Sequence, residues 1–229
     1  MSILLEIACF SERGARLAAV SGADRIEFCQ DYPSGGVTPE LQATEALLED
    51  YDIPVFVMVR PRPGEFVFST EEVDRICTDI SAFREIGVHG IVAGALTSNG
   101  KLDEVACKRM RDAAGALPFT FHRAFDTLSD PRESLEQLIS WGFQRILTSG
   151  GAGNAIDNLD TLKEYVQQAN DRIIILPGGG VRPDNLAPII GTTRAKEVHS
   201  SALHQPDPFN SFCDPAMIRL MKDQLSATA

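Results

Sequence analysis

The sequence lacks an excess of basic residues, a long apolar run and any paired cysteine motif. Its 229 residues contain 21 Lys and Arg against 32 Asp and Glu, which gives a formal net charge of −11. A surface this acidic repels phosphate backbones and anionic headgroups, so neither nucleic acid nor a membrane is an expected partner. No apolar run approaches the roughly 20 residues that span a bilayer.

The amino-terminal residues also lack the features of a secretory signal. The stretch MSILLEIACF has no basic start, contains the charged Glu6 and shows no cleavage-site pattern. We interpret it as a first strand, and we expect a cytoplasmic protein.

The cysteines form no disulfide or zinc pattern. They lie at positions 9, 29, 77, 107 and 213, an odd number without a C-x-x-C pair. Disulfide frameworks use even numbers of cysteines, and structural zinc sites use closely spaced ones. We therefore expect five free thiols.

Eight short aliphatic runs alternate with longer amphipathic segments along the chain. The runs lie at residues 3–8, 25–29, 55–60, 90–94, 119–123, 145–149, 172–176 and 196–200. Their starts are about 28 residues apart, which is the length of a strand, a three-turn helix and two loops. No linker interrupts the pattern. It predicts an α/β fold with one (β/α)8 TIM-type barrel domain over residues 1–229, an irregular tail from about residue 204 and a last helix near 214–225.

An open doubly wound sheet would show the same alternation of strands and helices. A nucleotide-binding version of that fold carries a glycine fingerprint after the first strand. The corresponding turn here reads ACFSERG. The missing fingerprint favours the closed barrel.

Charged residues on the strands are the first functional signal. Alternate strand side chains face the lumen of a barrel, which opens at the carboxyl ends of the strands into a site built by the βα loops. Glu6 on the first strand and Glu27 on the second share that inward face. Two neighbouring buried carboxylates push one pKa upward, which suits acid–base catalysis or metal binding. A salt bridge with Arg25 or Arg60 that fills the lumen is the alternative.

The end of the fifth run gives the strongest local signal. His122 lies in the sequence FTFHR, Arg123 follows it, and Asp126 comes one turn later. A neutral imidazole at this position can move protons or bind a metal, and Asp126 could orient it or form an ion pair. Glu6, Glu27, His122 and Asp126 are therefore the candidate catalytic residues, with a structural histidine as the alternative for His122.

Several predicted loops offer groups that bind anions. The guanidinium of Arg60, at the end of the third run, can hold a carboxylate or phosphate, or it can neutralise a strand glutamate. Glycines let backbone amides approach an anion, and the loops after strands seven and eight of a barrel often bind phosphate. A plain tight turn is the alternative for these glycines. The candidate anion-binding or ligand-binding residues are Arg60, Arg123, Ser149, Gly178, Gly179, Gly180, His199, Ser200 and Ser201.

Six motifs occur in order along the chain: DRIEFC, RPRPG, TFHRAFD, RILTSGG, PGGGVR and EVHSSA. Together they resemble the CutC family from about residue 3 to residue 203. The resemblance implies a cytoplasmic TIM-type barrel, commonly a homo-oligomer, that binds copper and takes part in copper homeostasis. In similar proteins copper is assigned to lumen-facing cysteines two residues after the glutamates of strands one and two.

Only one of the two implied cysteines is present. Cys29 follows Glu27 at the expected spacing and is the candidate metal ligand, whereas Ala8 occupies the other position. Cys9, next to Ala8, should face outward by strand parity. A soft Cu(I) ion prefers two thiolates, so Cys29 with a histidine would bind copper less tightly.

Two functions remain open from the sequence. The first is a copper-binding homeostasis protein that acts as a cytosolic carrier or buffer, with Cys29 as a ligand. The second is an enzyme for a small anionic or sugar-like metabolite, with acid–base groups at the barrel mouth. Carboxylates, imidazoles and arginines at one mouth suit proton transfer, whereas a carrier needs only one or two soft ligands. A scaffold protein would leave the charges on the strands unexplained.

Overall fold

Each of the eight aliphatic runs overlaps a parallel β-strand in the computed structural model, which describes residues 3–203 and 212–227. In chain order the strands are β1 (Leu4–Cys9), β2 (Arg25–Phe28), β3 (Val55–Met58), β4 (Gly90–Ala93), β5 (Phe119–Phe121), β6 (Arg145–Thr148), β7 (Ile174–Pro177) and β8 (Glu197–Ser200). Their hydrogen-bonded order is β7-β6-β5-β4-β3-β2-β1-β8, and the sheet curls until β7 and β8 are neighbours. The predicted (β/α)8 TIM-type barrel is confirmed.

A helix follows each strand. The helices are α1 (Glu12–Val20), α2 (Leu41–Asp50), α3 (Thr70–Glu85), α4 (Glu104–Ala114), α5 (Pro131–Ser140), α6 (Leu159–Ala169), α7 (Pro183–Thr193) and α8 (Pro215–Ala227). The helix expected near residues 214–225 is α8, and residues 204–211 of the expected irregular tail lie outside the described residues. No helix among the described residues is both long and apolar enough to cross a membrane.

An apolar layer between strands and helices forms the main core. Strand residues such as Ile7 and Val57 pack there with helix residues such as Ala18 and Ile76. Strand parity sends the residues on either side of Val57 into the lumen instead. The smaller apolar cluster inside the lumen consists of Cys29, Phe56, Met58 and Val92.

Buried charges fill the lumen near the amino ends of the strands. Arg25 donates from Nε to Glu6 Oε2 and from Nη2 to Glu197 Oε2, each at 2.5 Å. Arg145 donates to the same Glu197 at 2.8 and 3.1 Å, and both guanidiniums lie over the ring of Phe56. Opposite charges thus offset the desolvation of each group. The salt bridge with Arg25 that was considered for Glu6 is therefore present.

Candidate functional site

The carboxyl ends of the strands surround a cavity of about 390 Å³. Most of the candidate residues from the sequence lie in its wall, namely Glu27, Arg60, His122, Arg123, Gly179, Gly180, His199, Ser200 and Ser201. Five other candidates do not line it: Glu6, Cys29, Asp126, Ser149 and Gly178. Residues of five different strands, or of the loops that follow them, therefore meet at one mouth.

Two glutamates and a histidine form a buried cluster where β8 meets β1 and β2. The strand register places Glu6 beside His199 and Ala8 beside Glu27. His199 Nδ1 lies 2.7 Å from Glu6 Oε1, and His199 Nε2 lies 3.9 Å from Glu27 Oε2. Glu27 Oε1 has no hydrogen-bond partner among the described residues. The ligand atoms of Glu6, Glu27 and His199 all lie within 4.8 Å of one another, which is close enough to hold a metal ion.

The three groups of this cluster differ in the direction in which their pKa values are shifted. Burial alone would raise the pKa of Glu6, but Arg25 and His199 outweigh it and lower that pKa to about 2. Burial raises the pKa of Glu27, and the charge of Glu6 adds to the effect. Burial opposes the charged form of His199, yet Glu27 and Glu6 together raise its pKa. Glu6 is therefore a fixed anion that orients His199, while Glu27 and His199 are the groups able to exchange a proton.

His122 is a neutral hydrogen-bond donor facing the cavity. Its Nδ1 accepts a hydrogen bond from the Ala124 amide at 3.4 Å, which places the ring proton on Nε2. Nε2 is buried and has no partner within the described part of the chain. Burial lowers the pKa of His122 to about 3, and the nearby Arg60 adds to this shift. The ring packs against Phe66 with centroids 4.6 Å apart, which fixes its orientation.

Asp126 does not orient His122; of the two roles considered for it, the structure shows an ion pair, which it forms with Arg123. Asp126 lies in a 3₁₀ turn over Arg123–Thr127 that directs its carboxylate toward β6. There it accepts hydrogen bonds from the Ser149 amide and hydroxyl and from the Thr148 hydroxyl, and it pairs with Arg123 at 2.9 Å. Asp126 and Ser149 therefore position Arg123, whose Nη2 donates to Ser149 Oγ at 2.9 Å.

Arg60 lies in the cavity wall, but its terminal nitrogens hold loops together. Nη1 donates to the carbonyls of Ser34 and Gly36, and Nη2 donates to the carbonyl of Gly64. The guanidinium lies over the ring of Phe66, and its buried Nε has no partner among the described residues. Three of the five N–H groups of Arg60 are thus used within the protein, so Arg60 does not offer an open fork to a ligand.

The glycine segment after β7 has two parts with different roles. A Cβ on Gly178 would lie 2.5 Å from Leu147 Cδ1, so this glycine permits close packing and does not line the cavity as expected. Gly179 and Gly180 have φ angles of +95° and +68°, and both line the cavity. Glycine adopts this left-handed region without strain.

Sequence reasoning missed Arg182, which also lines the cavity. Its Nη1 donates to the Val181 carbonyl at 2.7 Å and to Ser200 Oγ at 3.3 Å, and its Nη2 donates to Ser201 Oγ at 3.2 Å. Arg182 stands inside the PGGGVR motif, immediately before α7. The sequence feature that could have identified Arg182 is its position between the glycine segment and the start of a helix.

The thiols flank the cluster without lining the cavity. Cys29 is buried, and its Sγ lies 3.5 Å from Glu27 Oε2. Burial raises the pKa of this thiol well above its usual value, and the charge of Glu27 adds to the effect. Cys9 packs in the outer core, as parity predicted, and its thiol interacts with that of Cys213. Ala8 lines the cavity in the position of the second expected ligand.

Distant barrels share this fold. Phosphoribosylanthranilate isomerase from Thermotoga maritima superposes with a TM-score of 0.62 and 13% identity, over 98% of this chain and 99% of that one. Identity this low shows the fold alone.

Closer relatives agree on one family. The CutC family model matches residues 3–204. The copper homeostasis protein cutC homolog of Homo sapiens is 41% identical over 87% of this chain and 73% of its own length. A CutC family protein of Histophilus somni is 43% identical, over 86% and 82%. The crystal structure of CutC from Streptococcus agalactiae superposes with a TM-score of 0.83 and 34% identity, over 87% of this chain and 98% of that one. The resemblance inferred from the sequence is confirmed, and the chain belongs to the CutC family.

Proposed function

We propose that the barrel mouth is the active site of an enzyme that transfers protons on a small anionic metabolite. The observation that carries this proposal is a pair of unsatisfied polar atoms in one cavity wall. Glu27 and His122 are each 3% exposed, and neither Glu27 Oε1 nor His122 Nε2 has a partner among the described residues. An unpaired buried polar group costs about 1–3 kcal/mol. A ligand that bonds to both atoms would remove that cost.

The groups in the wall divide into complementary roles. Glu27, with its raised pKa, is the general base that takes the proton from the substrate carbon and becomes neutral. His199 Nε2 lies 3.9 Å from Glu27 Oε2 and is the group that can exchange this proton with Glu27. Neutral His122 donates from Nε2 to a substrate oxygen, which becomes more basic as a neighbouring carbon loses its proton. Glu6 is a positioning residue, since it holds His199 at 2.7 Å. These roles fit proton abstraction from a carbon next to a carbonyl group.

Hydrogen exchange with solvent tests this reaction on many candidate substrates at once. The protein is incubated in D2O with a mixture of small carboxylates, sugar acids and sugar phosphates, and deuterium uptake is followed by mass spectrometry. We expect the wild type to exchange a carbon-bound hydrogen of at least one compound. Glu27→Gln should slow that exchange at least about 100-fold, whereas Glu45→Gln, at an exposed position on α2, should not. Absence of deuterium from every compound would count against the proposal.

We propose copper binding as a second candidate, with the ion as cargo. The supporting observation is that a thiol, a carboxylate and an imidazole converge where Cys29 Sγ and His199 Nε2 lie 3.5 and 3.9 Å from Glu27 Oε2. The relatives named copper homeostasis proteins add to this support. One thiol with oxygen and nitrogen ligands suits Cu(II) better than Cu(I), which prefers sulfur.

Copper titration separates this candidate from the enzymatic one. We expect one equivalent of copper to bind, with loss of binding in Cys29→Ser. Cys77→Ser is the matched control, because Cys77 is a half-buried thiol on α3 that does not line the cavity. Unchanged uptake by Cys29→Ser would remove Cys29 from the site.

We also propose a cytoplasmic homo-oligomer. Five free cysteines suit a reducing compartment. Val20, Val105 and Leu220 are exposed large apolar residues that an interface could cover. Size-exclusion chromatography with light scattering measures the oligomeric state, and a monomer at all concentrations would contradict the proposal.

A further inference from the structure

We infer that the substrate of the proposed active site is a phosphate monoester, whose phosphate binds between the loops after β7 and β8. The binding groups are the amides of Gly179 and Gly180, the guanidinium of Arg182 and the hydroxyl of Ser201. This inference rests on the proposed function for the reaction at Glu27 and His122. The phosphate site itself depends on separate observations.

The backbone after β7 offers unbonded amides at two positions where a side chain could not be added without a close contact. The amides of Gly179 and Gly180 have no hydrogen-bond partner among residues 3–203 and 212–227. A Cβ on Gly180 would lie 2.5 Å from Asn154 Oδ1, and a Cβ on Gly179 would lie 3.2 Å from Arg123 Cζ. Successive amides in such turns form anion-binding concavities. Helix α7 begins three residues later, so the positive end of its dipole adds to the attraction.

Positive charge without a described carboxylate partner lines the same cavity. Arg60 and Arg182 both line the cavity, and neither forms an ion pair with a described carboxylate. Arg123 differs, because Asp126 neutralises it. Two unpaired and partly buried guanidiniums are costly in the absence of an anion. In a chain of net charge −11 they mark the mouth as the place for a negative ligand.

The arrangement of donors favours a phosphate over a carboxylate. A carboxylate pairs best with the open, planar edge of a guanidinium. The edge of Arg182 already contacts the hydroxyls of Ser200 and Ser201 at 3.3 and 3.2 Å. The remaining donors are backbone amides from the neighbouring β7 loop, so they approach from a different direction. The three terminal oxygens of a phosphate can accept hydrogen bonds from all of these groups.

The proposed phosphate site adjoins the reacting groups. A Cβ on Gly178 would lie 3.3 Å from His199 Cβ, and Ser200 and Ser201 follow His199 in the chain. The cavity of about 390 Å³ has room for a phosphorylated compound of the size of a small sugar. Its carbon part would extend from the phosphate toward Glu27 and His122.

Inorganic phosphate is the first probe. Binding is measured by calorimetry and by thermal shift at constant ionic strength, with acetate and chloride as comparison anions. We expect the wild type to bind phosphate more tightly than acetate, and Arg182→Gln to weaken phosphate binding at least about tenfold. Ser201→Ala gives a second, smaller change that should weaken binding without altering the fold. Arg75→Gln is the control, because Arg75 is 72% exposed on α3.

The outcomes separate this inference from the proposed function. Phosphate binding that matches in Arg182→Gln, Ser201→Ala and Arg75→Gln would overturn the phosphate site, and so would tighter binding of acetate. Binding that survives in Glu27→Gln but falls in Arg182→Gln supports the site, even if no compound exchanges deuterium. Deuterium exchange on an unphosphorylated compound that Arg182→Gln leaves unchanged would support the reaction and overturn the substrate class.

Discussion

The proton on His122 provides a quantitative prediction. Replacement by Asn keeps an acceptor for the Ala124 amide but removes the titratable ring. In the folded protein burial lowers the pKa of His122 to about 3, from the usual 6.5. His122 therefore binds a proton in the unfolded chain but not in the folded protein at mildly acidic pH. The free energy of unfolding should fall as the pH drops below 6.5.

The size of this effect follows from the pKa difference. A pH of 5 lies about 1.5 units below the pKa of the imidazole in the unfolded chain, so that imidazole is almost fully protonated. The imidazole in the folded protein remains neutral at this pH. Each unit corresponds to about 1.4 kcal/mol, so His122 alone should remove about 2 kcal/mol of stability between pH 7 and pH 5. Glu6 contributes little in this range, because its pKa lies at about 2 in the folded protein and at 4.5 in the unfolded chain, and its contribution is common to wild type and variant.

Urea unfolding of wild type and His122→Asn at pH 7, 6 and 5 measures the effect. The shifted pKa values of Glu27 and His199 act in both proteins, so the difference between the two curves isolates His122. We expect the variant to lose about 2 kcal/mol less than the wild type over this range. In the folded wild type the His122 ring resonance should not titrate down to pH 5. Parallel stability curves for the two proteins would refute the reasoning.

Two further predictions concern the barrel interior. Glu197→Gln leaves Arg25 and Arg145 short of one negative charge, so urea unfolding should show a loss of about 3 kcal/mol. Unchanged stability would mean that the charge of Glu197 does not stabilise the fold. Gly178→Ala places a Cβ 2.5 Å from Leu147 Cδ1 and should destabilise by about 1–3 kcal/mol. The same substitution should cost less in a Leu147→Ala background, and equal costs in both backgrounds would contradict the packing argument.

The approximate positions of the strands were predictable because the aliphatic runs recur at a regular spacing along the chain. The run at residues 172–176 shows the limit of that reasoning, since its strand is Ile174–Pro177 and begins two residues later. The fifth strand ends at Phe121, because His122 caps the 3₁₀ turn that follows. Period and apolar content locate a strand, whereas the turn chemistry at its end sets its last residue.

Site residues on strands were predictable from strand parity, whereas the positions of side chains in loops and turns were not. Glu27 and His199 lie on strands, so the alternation of side chains placed both at the mouth. Asp126 lies in a turn, where the donors of Ser149 compete for its carboxylate, and sequence spacing carries no information on that competition. Arg182 lies after a strand and reaches the cavity through its long side chain, which periodicity does not describe.

The seam between β7 and β8 has a mechanical consequence. The eight described strands are joined by only seven hydrogen-bonded pairings, and none links Ile174–Pro177 to Glu197–Ser200. These two strands nevertheless lie in contact, so they are packed together without a hydrogen-bonded ladder. Gly179 and Gly180 follow β7 and Ser201 follows β8, so these residues lie on opposite sides of the β7–β8 contact. Packing between β7 and β8, and not a backbone hydrogen-bond ladder, therefore holds the two sides of the proposed phosphate site together.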